Sequence, residues 1–286
     1  MHNLHTTSAT IATLEELARQ HYVDQIILLA TYFPLKGTGV HNFDLLQRIE
    51  GHPLFRMFGS LDVMNNLEAG LDELEKLAEG KKIIGIKLYP GYQGFEPSEP
   101  RLEPVYALAE KYHLPVMLHG GELHHSCPPE RQASASRPCG CATVCKLPEY
   151  SDMAHPRYIE KPARAHPNVK FVVSHLSNPF FGELRRVMTG CPNVFTDISG
   201  QFVSGRIGED TPEYRKHIVA EIKQFLAVPN GYRRVLFATD FPIQSYADSL
   251  DLVDRLNLNA VDRENIMSGN ALRVLDKTFI PKERNV

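Results

Sequence analysis

The chain has 286 residues, of which 43% are hydrophobic and 23% are charged, and its formal net charge at pH 7 is −3. These values are ordinary for a globular protein, and a chain of this length buries enough core to need no disulfide or structural metal. Lysine and arginine are scattered along the chain, which argues against a nucleic-acid or anionic-membrane surface. Because we find neither a secretory signal nor a membrane-spanning run, we expect a cytoplasmic protein with reduced cysteines.

Seven short apolar runs alternate along the chain with longer amphipathic stretches. Several runs are almost continuously apolar and end in a polar residue, which is typical of strands buried on both faces of a parallel sheet. The predicted strands are Val23–Thr31, Arg56–Val63, Ile83–Tyr89, Leu114–His119, Val169–His175, Asn193–Ile198 and Arg234–Asp240. The predicted helices are Leu14–His21, Phe43–Glu50, Leu67–Glu79, Glu103–His113, Pro156–His166, Phe181–Met188, Pro212–Leu226, Ala247–Leu256 and Gly269–Asp276. Thr13 and Glu16 predict a capping box at the start of the first helix.

Strands that alternate with helices favour parallel βαβ units joined by right-handed crossovers. We therefore predict an α/β fold, a TIM-type (β/α)8 barrel, as a single domain over residues 1–286. Seven strands are recognisable where a barrel needs eight, so we expect the first strand, ahead of Leu14, to be irregular or missing. A doubly wound open sheet is the alternative, but the sequence ATYFPLKGTG after the first predicted strand lacks the Gly-rich phosphate loop of that fold.

Polar residues close several of the predicted strands, namely Lys87, His119, His175, Asp197 and Asp240. The carboxyl ends of the strands in a parallel barrel converge on one mouth, so residues far apart in sequence become neighbours there. Two neutral imidazoles and a carboxylate suit a divalent ion such as zinc, and a further group beside the ion can act as a general base. One strand-end histidine is more often a satisfied polar residue than a ligand, and the prediction therefore depends on the recurrence.

Six segments of the chain, IIGIKLYP, LPVMLHGGE, NVKFVVSHLS, NVFTDISG, VLFATDFP and ENIMSGNALRVL, resemble the amidohydrolase superfamily. The resemblance is to its amidohydrolase-related branch of decarboxylases and small-acid hydrolases, and it covers about residues 13–276. It implies that His119 ligates a divalent metal and that Asp240 ligates the same ion and accepts a proton from its water. It further implies that His175 orients the water or substrate, or ligates a second ion. Zinc is the expected metal, with manganese or another divalent ion as the alternative.

Three residues near the strand ends are candidate substrate contacts, namely Lys87, Tyr89 and Glu122. Some superfamily members carry a carbamylated bridging lysine on the strand that holds Lys87. We expect for Lys87 a structural role or a contact with a substrate carboxylate. Tyr89 and Glu122 fit a solvated rim equally well, and Asp197 is expected to hydrogen-bond a catalytic histidine.

The chain departs from the superfamily at its start, where members carry His-x-His on the first strand. The nearest candidates for these metal ligands are His2 and His5. Their spacing of three places the two side chains on opposite faces of a regular strand, so they would not both reach one ion. We therefore expect either that the first strand precedes the given sequence or that the ligand set is reduced.

A Cys-rich segment, at about residues 120–155, follows the predicted strand Leu114–His119. It contains Cys127, Cys139, Cys141 and Cys145. Four thiols in so short a segment would suffice for a structural zinc, which would be a second zinc site, although they do not form paired CxxC knuckles. The alternative is a mobile lid with free thiols. In both cases we expect the segment to cover the substrate at the barrel mouth.

Three functions fit these observations. The first is a metal-dependent hydrolase that acts on an amide, a lactone or a related carbonyl of a small molecule. The second is a non-oxidative decarboxylase of an aromatic or unsaturated acid, which fold alone does not separate from the first. The third is a barrel that has lost its first-strand ligands and serves as a binding or scaffold protein, although titratable groups at the mouth argue against it. The expected partner is a small molecule, with no nucleic acid and no membrane, and a homo-oligomer is left open.

Overall fold

The computed structural model describes residues 9–33, 39–125, 145–146, 152–208 and 210–275. The strands are β1 (Ile26–Leu29), β2 (Phe55–Phe58), β3 (Ile86–Leu88), β4 (Val116–Leu118), β5 (His124–His125), β6 (Cys145–Lys146), β7 (Phe171–Val173), β8 (Val194–Asp197) and β9 (Val235–Leu236). Six of the seven predicted runs contain one of these strands, and the run Arg56–Val63 overlaps β2, which begins one residue earlier. The other two, β5 and β6, form an antiparallel pair inside the Cys-rich segment.

The remaining seven strands are parallel and follow one another in chain order. Strand β1 pairs with β2, and a bridge between Gly59 and Ile86 continues the order to β3. The order then runs β3-β4-β7-β8-β9. An unbroken parallel order is the topology of a TIM-type barrel, whereas a doubly wound sheet reverses its order at a switch point. The eighth strand, predicted ahead of Leu14, would lie mainly in residues 1–8, outside the described residues.

Helices follow the parallel strands as predicted. They are α1 (Ile11–His21), α2 (Asn42–Ile49), α3 (Leu67–Glu79), α4 (Glu103–Lys111), α5 (Glu160–Ala165), α6 (Phe181–Gly190), α7 (Pro212–Leu226), α8 (Tyr246–Asp254), α9 (Ala260–Glu264) and α10 (Asn270–Val274). A π-helical turn joins α9 to α10, so the last helical stretch begins at Ala260 and not at Gly269. In the described parts of the chain, none of these helices is long and apolar enough to cross a membrane.

The first helix begins earlier than predicted. Its N-cap is Thr10, whose hydroxyl accepts a hydrogen bond from the backbone N–H of Thr13 at 3.1 Å. The capping box predicted from Thr13 and Glu16 is therefore wrong. The Glu16 carboxylate instead accepts hydrogen bonds from Arg19 and Gln20 on the next turn. Thr10 therefore satisfies one of the free amides at the start of the helix, three residues earlier in the chain than predicted.

The main core lies between the parallel strands and the helices around them. Its fully buried members on the strands include Met57, Ile86, Val116, Phe171, Val194 and Val235. A second cluster of Leu14, Ala18, Ile26 and Phe55 packs beneath α1, and Phe241, beyond the last strand, contacts it. His21 of α1 also stacks on Tyr246 of α8, with ring centroids 5.6 Å apart. The beginning and the end of the barrel are therefore in contact.

Candidate active site

The polar residues that close the predicted strands lie at one end of the parallel sheet. Lys87 is the middle residue of β3, His119 directly follows β4, and Asp197 is the last residue of β8. His175 and Asp240 lie in the turns that follow β7 and β9.

Two of these residues adopt left-handed backbone conformations. His175 has φ +64° and Asp240 has φ +56°, and the next two residues after His175, Leu176 and Ser177, are left-handed as well. Residues other than glycine seldom adopt this conformation, and they keep it only where the surrounding structure holds them. Such positions cluster at functional sites, which supports the assignment of these turns to the site.

His119 and His175 are neighbours at the mouth. Their ring centroids lie 5.0 Å apart with an angle of 59° between the planes. Nε2 of His119 lies 3.2 Å from the backbone carbonyl of Glu122. Because a carbonyl only accepts, this nitrogen donates and carries the proton. Tyr92 meets the His119 ring edge-on at 4.7 Å, a contact that the sequence did not predict.

Asp197 contacts His175 through its backbone and through Ser199. The buried carboxylate of Asp197 accepts hydrogen bonds from the backbone N–H groups of His175, at 3.1 Å, and Ser199, at 3.0 Å, and from the Ser199 hydroxyl. The Ser199 hydroxyl oxygen lies 2.9 Å from Nδ1 of His175. The expected contact with a catalytic histidine therefore reaches the ring only through Ser199. The available signal for Ser199 was its Asp-x-Ser spacing, which places both residues on one side of an extended segment.

Gly200 brings His175 and Asp240 to a common point. The glycine has φ +59°, and a Cβ atom built on it would lie 2.7 Å from Nδ1 of His175 and 3.2 Å from Oδ2 of Asp240. Both polar atoms therefore border the same small space. Asp240 is exposed to solvent, and within the described part of the chain its carboxylate makes no hydrogen bond. Its oxygen lone pairs are available to a proton or a cation.

Lys87 lies beneath the mouth with only 3% of its surface exposed. Its ammonium group donates to the Ser174 hydroxyl at 2.9 Å and lies 5.2 Å from the centroid of the Tyr89 ring. Burial lowers the pKa of Lys87 to about 8, although the carboxylates of Asp197 and Asp240 oppose the shift. Contact with a substrate carboxylate stays a prediction, and the first partner of Lys87 in the structure is Ser174.

Tyr89 and Glu122 have partners within the protein. The Tyr89 hydroxyl donates to the carbonyl of Ala30 at 2.9 Å, and burial raises its pKa well above the usual value. The backbone N–H of Glu122 donates to the carbonyl of Asn178 at 2.9 Å. Both residues therefore connect loops at the mouth, and their contact with a substrate stays a prediction.

Gln93 is a buried residue of the mouth that sequence analysis missed. Its amide group donates to the carbonyls of Tyr32, at 2.9 Å, and Leu61, at 3.0 Å, and its oxygen accepts from the N–H of Val63 at 3.0 Å. The loops after β1 and β2 are thus joined to the loop after β3. One glutamine in a loop has no pattern that would reveal this role.

The side chains at the mouth fit a divalent cation in their chemistry, since imidazole and carboxylate are zinc ligands. In this structure the side chains are not arranged around one ion position. Among the residues that the structure describes, no group of three or more His, Cys, Asp or Glu side chains is arranged to hold a metal. Nε2 of His119 is bonded to the Glu122 carbonyl, and Nδ1 of His175 is bonded to Ser199. The ligand assignment of His119, His175 and Asp240 therefore stays a prediction.

Several other predicted ligands cannot be placed. His2 and His5 lie outside the described residues, as do Cys127, Cys139 and Cys141. Of Cys145 the structure describes only the backbone, in β6 opposite His125 of β5. The second zinc site proposed for these cysteines stays a prediction.

Solved structures with a similar fold include enzymes and metal-binding proteins. A dihydroxybenzoic acid decarboxylase from Polaromonas, with manganese and the inhibitor 2-nitroresorcinol, gives a TM-score of 0.63 at 15% identity over 95% of this chain and 87% of that chain. A protein from Pseudomonas putida assigned as a 2-pyrone-4,6-dicarboxylic acid hydrolase gives 0.65 at 16% identity over 98% and 92%. An amidohydrolase from Burkholderia multivorans with bound zinc gives 0.66 at 16% identity over 96% and 90%.

These likenesses show the fold, and the predicted TIM-type barrel is confirmed. No curated protein matches the chain. The amidohydrolase family model matches residues 42–277, a span that includes His119, His175 and Asp240. This match covers most of the chain, and the protein belongs to the amidohydrolase family.

Proposed function

We propose that the protein is a metal-dependent hydrolase that acts on an amide, a lactone or a related carbonyl of a small molecule. The observation that carries the proposal is the common space bordered by Nδ1 of His175 and Oδ2 of Asp240 at Gly200. A carboxylate without donors beside an oriented imidazole is an arrangement that can accept a proton and orient a water molecule during hydrolysis. The family membership and the metals in similar folds agree with it.

The proposed roles follow from the contacts of each residue. His119, His175 and Asp240 would hold the divalent ion, zinc in our proposal. When bound, such an ion would supply a Lewis acid and lower the pKa of a bound water to about 7. The exposed Asp240 carboxylate takes the proton of the attacking water, because no donor in the described structure occupies its oxygens. His175, held by Ser199 and Asp197, would orient the attacking water or the substrate.

Metal content tests the ligand assignment before any substrate is known. We expect purified protein to contain a divalent metal, and His119→Ala and Asp240→Ala to lose most of it. His217→Ala is the matched control, because His217 is an exposed histidine of α7 that is not among the predicted ligands. Elemental analysis of the three variants after dialysis measures the effect. Unchanged metal in His119→Ala and Asp240→Ala would remove the assignment.

A second candidate, a non-oxidative decarboxylase of an aromatic or unsaturated acid, is supported by a row of aromatic rings at the mouth. The Phe33 ring lies 4.8 Å from that of Tyr89 and 5.3 Å from that of Tyr92, which in turn meets His119. A flat unsaturated acid can stack on such rings.

A panel of lactones, amides and aromatic acids distinguishes the two reactions. Hydrolysis products without carbon dioxide support the hydrolase, and carbon dioxide from an acid supports the decarboxylase. Saturable binding without turnover in the metal-loaded protein would favour the third hypothesis, a binding or scaffold barrel.

A further inference from the structure

The turn after β8 determines which ring nitrogen of His175 carries a proton. The backbone carbonyl of Ser199 lies 3.1 Å from Nδ1 of His175. A carbonyl oxygen can only accept, so a hydrogen bond at this distance requires the proton on Nδ1. With the lone pair on Nδ1 instead, two acceptors would face each other in a half-buried site. The same carbonyl accepts from the side-chain amide of Gln201 at 2.9 Å, which fixes its direction.

The Ser199 hydroxyl leads to the same assignment. Its oxygen lies 2.9 Å from Nδ1 of His175 and in close contact with the Asp197 carboxylate. A carboxylate accepts, so the hydroxyl proton points to Asp197 and a hydroxyl lone pair faces His175. Nδ1 of His175 therefore donates to the Ser199 hydroxyl, and the Ser199 hydroxyl donates to the Asp197 carboxylate. Ser199 is 4% exposed, and its hydroxyl is hydrogen-bonded to both His175 and Asp197, which excludes it as a nucleophile.

Within the described residues, Nε2 of His175 makes no hydrogen bond. We propose that Ser199 is a positioning residue that holds His175 as the Nδ1-protonated tautomer, so that Nε2 is the nitrogen offered to metal, water or substrate. Its catalytic consequence rests on the proposed function, whereas the tautomer itself does not. The general reason is that the hydrogen bond of one imidazole nitrogen determines the tautomer and aims the other.

The tautomer is measured by long-range nitrogen–proton NMR spectra of metal-free protein labelled with ¹⁵N-histidine. The spectra are recorded at about pH 8.5, well above the usual pKa of histidine. The His175 signals are assigned by their absence in His175→Gln. We expect the proton on Nδ1. A proton on Nε2, or an even mixture of both tautomers, overturns the proposal. This measurement on the wild-type protein needs no stable Ser199 variant.

The role of the hydroxyl is tested with Ser199→Ala and Ser199→Thr. We expect Ser199→Ala to speed solvent exchange of the Nδ1 proton at least about tenfold, because one of its two acceptors is lost. Ser199→Thr restores the hydroxyl and slow exchange. The control is Ser249→Ala, which removes another buried hydroxyl, one bonded to Gln244 at 2.8 Å. Exchange that is unchanged in Ser199→Ala overturns the part assigned to Ser199.

Activity provides the second readout. Once a substrate is found, we expect kcat/KM of Ser199→Ala to fall roughly tenfold to hundredfold, as for other groups that orient a catalytic histidine. Ser199→Thr recovers most of it. If the proton is found on Nδ1 but the protein has no hydrolase activity, the proposed function is contradicted and the assigned tautomer stands. If the protein is an active hydrolase but the proton is found on Nε2, only the assigned tautomer is contradicted.

Discussion

Gly200 is a position at which even a methyl side chain would contact two residues of the site too closely. Its φ of +59° is left-handed, and a Cβ atom would lie 2.7 Å from Nδ1 of His175 and 3.2 Å from Oδ2 of Asp240. We expect Gly200→Ala to displace both side chains and lower kcat/KM by about a hundredfold, since misplacement near 1 Å has that cost. Left-handed strain should lower the free energy of unfolding by about 1–2 kcal/mol.

The matched control for this change is Gly205→Ala in the same loop. Gly205 has φ +71°, and a Cβ atom there meets nothing within 4 Å. Its variant should show the same backbone strain in urea unfolding and keep its activity. Equal losses of activity in both variants would mean that loop strain, and not contact with His175 and Asp240, explains the effect.

The buried ammonium group of Lys87 predicts a dependence of stability on pH. Burial lowers its pKa from 10.5 to about 8 in the folded protein. Between these values the unfolded chain binds more protons, so the free energy of unfolding rises with pH through this window. Below about pH 8 the lysine is charged in both states and the full cost of burying the charge remains. The shift corresponds to roughly 3 kcal/mol at most.

Urea unfolding of Lys87→Met measures this contribution. From about pH 7.5 to about pH 10, wild-type protein should gain roughly 2 kcal/mol of stability relative to Lys87→Met. The comparison with Lys216→Met, which removes an exposed lysine of α7, should show no such gain. Parallel pH profiles for wild type and Lys87→Met would contradict the assigned cost of burial.

At the scale of elements, the sequence predicts whether a strand exists better than it predicts where that strand begins and ends. All seven apolar runs overlap a strand because burial on both faces leaves a continuous apolar signal. The run Val23–Thr31 nevertheless shortens to Ile26–Leu29, since hydrophobicity does not mark where pairing ends. His119, His175 and Asp240 were visible because each follows an apolar run. Gln93 was not, because its contacts depend on how separate loops meet after the sheet curves, and the Asp-x-Ser spacing of Ser199 did not indicate its contact with His175.

Gln93 shows how one side chain can hold three loops of the mouth. We expect Gln93→Leu to leave the carbonyls of Tyr32 and Leu61 and the N–H of Val63 without their partner. Buried groups left without partners cost about 1–3 kcal/mol each, so the free energy of unfolding should fall by about 2–4 kcal/mol. Urea unfolding measures it. The control is Gln20→Leu at an exposed position of α1, with an expected change within about 0.5 kcal/mol. Equal losses in the two variants would refute the role of Gln93.

At the scale of the whole molecule, closure joins parts that are distant in sequence. His21 stacks on Tyr246, and Phe241 packs on the cluster of Leu14, Ala18, Ile26 and Phe55. The first and last helix–strand units therefore share a buried interface. If the chain is one domain, as predicted, loss of this interface should destabilise both halves together and not the last helices alone.

The chain contains no tryptophan, so one introduced tryptophan reports on one place. We choose Phe43→Trp on α2 and Tyr232→Trp before β9, both exposed positions. In each background Tyr246→Ala, which removes a buried ring, should lower the free energy of unfolding by about 3 kcal/mol. Both reporters should show the same midpoint in urea before and after the change. In a closed barrel, a loss at the contact between its first and last units destabilises every strand. A shift confined to the Tyr232→Trp reporter would therefore mean that the two halves unfold separately.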